Sequence, residues 1–200
     1  MPLAPIHASL KDGTPVLIRP IEPADAGLLK LGFSHLSDEA RQFRFLRAVP
    51  QLSEEDLWFL THPDHDGHEA LGAADLSTEP PEPVGVARHV RLPDDPATAE
   101  VAVTVVDDHQ GRGLGTLLFG LLARVASSKG IDGFVALIHA ENSGMRTLLA
   151  DLGAIRTATH GTEREYRLPL HTDPSRYPDT QAGHAFRAAY RLAEGKLRDR

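Results

Sequence analysis

Apolar positions change period several times along this chain, and the changes mark out its elements. Val16 and Ile18 alternate with Leu17 and Arg19, which predicts a strand over 14–21. Glu22-Pro23-Ala24-Asp25 opens a helix, proline being tolerated in a first turn, and Leu28, Leu29, Leu31 and Phe33 carry it to Ser34. Ser37-Asp38-Glu39 and Ser53-Glu54-Glu55-Asp56 read as two more helix starts, with a capping hydroxyl followed by acids at the positive helix end. Pro50 stops the first of these. The second carries Leu57, Trp58 and Leu60, and Trp58 and Phe59 are expected in the core rather than at a substrate. Segments 69–76, 84–92 and 99–106 are the next strands, joined by a proline-rich loop at 77–83 and a turn at 92–96, which implies an antiparallel meander. From Leu114 the spacing lengthens. Leu117, Leu118, Leu121, Leu122, Val125 and Ala126 lie on one face of a helix that Lys129-Gly130 stops. A strand over 134–139 follows, then a helix capped by Asn142 or Ser143 with Met145, Leu148, Leu149 and Leu152 inward. Gly153 ends that helix, and a last strand spans 164–170.

Two hundred residues, 41% hydrophobic and 24% charged, suit one soluble domain over 14–170 with an extension over 171–200. In the extension, Ala185, Phe186, Ala189, Tyr190, Ala193 and Leu197 form a helical stripe. It reads as a tail helix docked on its own domain, or alternatively as a homodimer or partner face. The net charge of −7 argues against nucleic acid as a partner, because neutralising phosphates takes a basic surface. With no cysteine, disulfides, thiolate zinc sites and thiol nucleophiles are all excluded. Met1-Pro2-Leu3-Ala4-Pro5 lacks the basic start and apolar core of a signal peptide, and the densest apolar stretch, 116–126, is too short for a membrane span. The expectation is a cytoplasmic protein without a membrane partner.

The segment richest in chemistry is Asp107-Asp108-His109-Gln110-Gly111-Arg112-Gly113-Leu114-Gly115-Thr116, between a strand and the long helix. Glycines there let the backbone turn sharply and present several N–H groups in a concave nest. The helix start adds partial positive charge, so the bend is a seat for an anionic group such as a diphosphate, with Arg112 as a charged contact. The spacing does not fit Gly-x-Gly-x-x-Gly, since Thr116 and Leu118 fill the sixth positions, and there is no Gly-Lys-Ser/Thr tripeptide. Dinucleotides and nucleoside triphosphates are therefore unsupported.

Gln110-x-x-Gly113-x-Gly115 directly after a strand resembles the pyrophosphate loop of the GNAT superfamily of N-acetyltransferases, which bind acetyl-coenzyme A. The resemblance runs from Leu17-Ile18-Arg19-Pro20-Ile21 through Val84-Gly85-Val86-Ala87-Arg88 to Glu141-Asn142 and Gly153, covering roughly 14–170. Residues 99–105 (Ala-Glu-Val-Ala-Val-Thr-Val) with Met145-Arg146-Thr147 look most like the catalytic domain of bacterial protein lysine acetyltransferases. The resemblance implies an α/β GNAT fold: a mixed, mostly antiparallel sheet, helices on both faces and a C-terminal helical extension. It also implies acetyl-coenzyme A as donor substrate, no metal, and a primary amine as acceptor, a protein lysine before others.

A GNAT-type reaction is direct attack of a neutral amine on the thioester, so a proton acceptor and an oxyanion donor are needed. Glu100 matches the position of the general base in those lysine acetyltransferases. Strand alternation puts it on the face of Ala102, Thr104 and Val106, and its other reading is a solvated charge at a strand's start. The resemblance implies that the backbone of Val105 and Val106 binds the pantetheine arm, one N–H serving as oxyanion donor. It assigns Gln110, Gly111, Arg112, Gly113, Leu114, Gly115 and Thr116 to the diphosphate and Asn142 to the coenzyme, although an N-cap role explains Asn142 equally well. Many GNAT enzymes hold a tyrosine as general acid where this chain has Leu149, counting from Asn142. The alternatives are thus a small-molecule amine acetyltransferase and a non-catalytic acyl-coenzyme A sensor. His62, Asp64, His65, Asp66 and His68 cluster on a turn with no helical face to converge them, which reads as a solvated loop beside the acceptor groove rather than a metal site.

Overall fold

The computed structural model describes residues 3–198; Met1 and Pro2, part of the segment read above as no signal peptide, lie outside the described residues. The strands are β1 (Ile6–Ser9), β2 (Pro15–Pro20), β3 (His68–Asp75), β4 (Glu82–Leu92), β5 (Asp95–Val105), β6 (Gly133–His139), β7 (Ile155–His160) and β8 (Glu163–Pro169). The helices are α1 (Ala26–Ser34), α2 (Asp38–Phe45), α3 (Glu54–Thr61), α4 (Leu114–Ser128), α5 (Ser143–Asp151) and α6 (Gln181–Arg198). All strands join one sheet in the order β1-β2-β3-β4-β5-β6-β8-β7. Every neighbouring pair is antiparallel except β5 and β6, which run parallel.

The predicted caps set the helices. Ser37 accepts from the Ala40 N–H, Ser53 forms a capping box with Asp56, and Asn142 accepts from the Met145 N–H at 3.0 Å. The two faces of the sheet carry different helices. A Cβ on Gly85 would lie 3.1 Å from Leu118 and 3.2 Å from Leu114, so α4 packs on that face. Leu118, Leu121, Leu122 and Val125 are buried there. The opposite face carries α1 and α2, which pack against β4 and β5. The stripe of the extension lies against α4 of the same chain. Phe186 meets Phe119 edge-on with centroids 5.6 Å apart, and Tyr190 donates to the His171 carbonyl at 2.6 Å.

Several elements differ from the sequence reading. β1 begins ahead of residue 14 and β7 was not expected. Both are edge strands, and β7 is largely exposed, so it shows no apolar alternation. β5 starts at Asp95 and takes Pro96 into the strand, where the register with β4 shifts between Arg91 and Leu92. Trp58 and Phe59 do not join the core: they are 64% and 45% exposed. The cap at Ser53 turns Leu57 and Thr61 inward instead, leaving Trp58 stacked on His62 and Phe59 on His68. Among the described residues, no helix is long and apolar enough to cross a membrane.

Candidate active site

β5 and β6 pair only at Thr98–Gly133, Ala99–Phe134 and Glu100–Val135. Beyond these, residues 101–105 and 136–139 continue without pairing to each other, so the sheet opens into a fork. Val106 donates its N–H to the Val84 carbonyl at 3.0 Å, and in an antiparallel ladder successive residues bond to opposite sides. The N–H and C=O of Val105 therefore face the fork, and the Gln110 amide donates to that carbonyl at 3.2 Å. The fork opens on a cavity of about 640 Å³ that also takes walls from α2, α5 and the start of α4.

The glycine bend closes one end. Gly111 and Gly113 adopt φ of 73° and 91°, a left-handed backbone that favours glycine. Gly113 is the N-cap of α4, and the first intrahelical bond runs from the Leu117 N–H to its carbonyl at 3.0 Å. The amides of Leu114, Gly115 and Thr116 precede that bond and remain as donors at the positive helix end. The tip of the β1–β2 hairpin lies over the bend. Lys11 donates its N–H to the Arg112 carbonyl at 3.0 Å, and its side chain comes within 3.3 Å of where a Gly113 Cβ would be. Arg112 itself is tied to Asp12 at 3.1 Å, so at the bend it is Lys11 that brings a cation to the cavity.

Asp107 fixes the other wall. It accepts from the N–H and hydroxyl of Ser37 at 2.9 and 2.8 Å, which anchors the start of α2 to the end of β5. This holds Glu39, Phe43 and Arg44 against the fork. On the same sheet face, Arg88 lies opposite Ala102, Val90 opposite Glu100 and Val86 opposite Thr104, so Glu100 and Thr104 lie diagonally on either side of Arg88. Glu100 is exposed and sits at the last position of β5 that pairs with β6, outside the cavity wall. Burial pushes the Arg44 guanidinium down, and the charge of Glu100 opposes this. Arg88 is buried over the ring of Phe59.

Val105, Gln110, Gly111, Gly113, Gly115, Thr116 and Asn142 thus come together at one cavity. Three residues stand apart from the sequence expectation. Val106 spends its N–H on β4 and lines a second, smaller cavity, because alternation turns it away from the fork. The side chain of Leu114 is wholly in the core, leaving only its amide for the bend, and that of Arg112 turns to Asp12. Asn142 lines the cavity while already capping α5. Leu149 is a buried wall residue, and among the described residues no tyrosine lines the cavity. Sequence reasoning missed Lys11, Arg44, Arg88 and Thr104. Thr104 shared the alternation of Glu100 and Arg88 ended a stretch that carries the family resemblance, though neither pointed to a role; Lys11 and Arg44 reach the site through folding of distant segments. Of the histidine cluster, His62 bonds the Trp58 carbonyl, His65 bonds Glu69 and His68 bonds Arg88. Among the described residues, no group of three or more histidines and acids converges as a metal site would require.

Residues 16–155 match the acetyltransferase (GNAT) domain family. The chain is 32% identical over 164 residues to acetyltransferase PA5475 of Pseudomonas aeruginosa, covering 81% of this chain and 88% of that protein. It is 31% identical over 153 residues to acetyltransferase Pat of Mycolicibacterium smegmatis, covering 76% of this chain but only 45% of that longer protein. Among solved structures, the GNAT domain of S. lividans PAT superposes with a TM-score of 0.75 at 30% identity, covering 83% of this chain and 97% of that one.

Proposed function

Because this chain belongs to the GNAT family of acyl-coenzyme A-dependent N-acetyltransferases, we propose that it acetylates a primary amine, a protein lysine before others, with Glu100 as general base. The observation that carries this reading is the fork between β5 and β6, whose unpaired edge and glycine bend face one cavity. The donor supplies an acetyl group activated as a thioester. A polar arm with a diphosphate fits here: Lys11 and the amides from Gly111 to Thr116 would hold the diphosphate, and the open edge of β5 would take the arm as an added strand. The Val105 N–H, fixed by the ladder on the far side, would donate to an oxygen that gains negative charge.

A lysine amine is mostly ammonium near pH 7.4, and its deprotonation costs roughly 4 kcal/mol from a pKa of about 10.4. Glu100 is exposed on the face away from α4 and outside the donor cavity, which suits a carboxylate that takes this proton directly or through water. A protein acceptor is supported by the lysine-acetyltransferase resemblance of 99–105. It is supported also by the apolar surface that Leu28, Leu31, Trp58 and Phe59 expose on α1 and α3. With Leu149 in place of a tyrosine, the departing thiolate takes its proton from water.

Glu100→Gln should keep acetyl-coenzyme A binding by calorimetry and lose about 10²- to 10⁴-fold in kcat at pH 7.5, the deficit shrinking above the pKa of the amine. Full activity at pH 7.5 would remove Glu100 from the role. Tight coenzyme binding with no thiol release for any amine would favour a sensor.

A further inference from the structure

Two guanidinium groups, Arg44 of α2 and Arg88 of β4, line one small cavity, and among the described residues no carboxylate lines it with them, a charge imbalance that the acetyl-transfer reading leaves unused. Beneath α1, α2 and α3 lies a cavity of about 80 Å³, walled by apolar side chains such as Leu29, Phe33 and Phe45 together with Arg44 and Arg88. Arg88 is 3% exposed. It donates to the His68 ring and, at 2.6 Å, to the Leu60 carbonyl, and neither partner carries negative charge. His68 is kept neutral, its pKa pushed down to about 4 by burial and by Arg88. The Arg88 Nε has no partner among the described residues, and neither does the buried hydroxyl of Thr104, which lines both cavities. No ion pair to Arg44 or Arg88 occurs among the described residues. The buried acid nearest in sequence to His68, Glu69, is already taken by Lys129 at 2.6 Å and His65 at 2.8 Å.

A guanidinium withdrawn from water without a counter-ion is costly, and an incoming anion relieves that cost. Arginine is suited to the task because its planar fork matches a carboxylate. We propose that this cavity takes a carboxylate of the acceptor, seated between Arg44 and Arg88, with the acceptor amine directed to Glu100. The inference rests on the acetyl-transfer reading above and narrows its acceptor class. Glu100 and Arg88 rise from diagonal positions of the β4–β5 ladder, about 7–8 Å apart at their bases, so amine and carboxylate belong to one acceptor. The carboxylate can come from a free amino acid or from an acidic residue beside a lysine in a peptide; the chemistry is shared.

The test measures thiol release from acetyl-coenzyme A with two matched pairs. One is 4-aminobutyrate against 4-aminobutyramide; the other is a lysine peptide with a neighbouring glutamate against the same peptide with glutamine. The expected result is a kcat/KM at least about ten-fold higher for the carboxylate member of one pair, and a ratio that falls toward one in Arg44→Gln. The pair that shows the preference identifies the source. A ratio near one in both pairs for the wild type, or a preference that Arg44→Gln leaves intact, overturns the proposal. If no amine releases thiol, the acetyl-transfer reading fails separately. Calorimetry of 4-aminobutyrate and the glutamate peptide then decides: binding lost in Arg44→Gln supports the carboxylate seat, and no binding to the wild type refutes it.

Discussion

Gly113 combines two demands that no other residue type meets together. It holds φ at 91° and lets Lys11 lie across the bend. Gly113→Ala would force an L-residue into the left-handed region at about 1–2 kcal/mol and press a methyl group on the Lys11 stem. The expected outcome is a lower urea midpoint and a KM for acetyl-coenzyme A raised several-fold. Lys11→Met removes only the cation, so it should raise that KM about three- to ten-fold while leaving the midpoint unchanged; initial rates at varied donor concentration measure both. The bend was legible in the sequence because its three glycines stand at alternate positions of one short stretch. Lys11 was not, since a hairpin far away in the chain delivers it.

The α4–α6 contact is set by one small residue. A Cβ on Gly120 would stand 2.7 Å from the Ala189 Cβ and 2.8 Å from the Phe186 carbonyl, so the helices touch backbone to side chain. Gly120→Ala should therefore cost about 1–3 kcal/mol through overpacking, despite the better helix propensity of alanine. Urea denaturation followed by circular dichroism would measure the loss. The periodicity of both helices was visible along the chain, as was the stop of α4 at Lys129-Gly130. Their mutual contact was not, because a stripe states what it wants to bury without stating against what. The same limit explains Trp58 and Phe59, whose apolar character gave no hint that α3 turns them outward.

Across the whole molecule, burial leaves two imidazoles titrating far below their usual range. His89 is fully buried, both ring nitrogens lack partners among the described residues, and burial ahead of the charge on Lys129 pushes its pKa down to about 4. His68 is pushed equally low. The unfolded chain takes up these protons near pH 6.5 while the folded chain resists until about pH 4, so stability is intact above pH 6.5 and drains as the pH falls through that window. The loss should be on the order of 3 kcal/mol or more. His89→Leu, which loses no hydrogen bond, should stay near wild type at pH 7.5 and abolish about half of the loss, as read from urea midpoints at stepped pH.

By itself, the sequence determined what is local: the strands and helices with strong periodicity, the caps at Ser37, Ser53 and Asn142, and the glycine bend. Spacing, dihedral preference and capping act within a few residues, so one stretch of chain suffices to state them. Tertiary structure alone decided the parting of β5 from β6, the delivery of Lys11 to the bend, and the meeting of Arg44 and Arg88 beside Glu100. Each of these joins segments tens of residues apart. Which cation ends beside which anion, and which stays unpaired, follows from how the helices cover the two faces of the sheet, and that depends on all the packing at once.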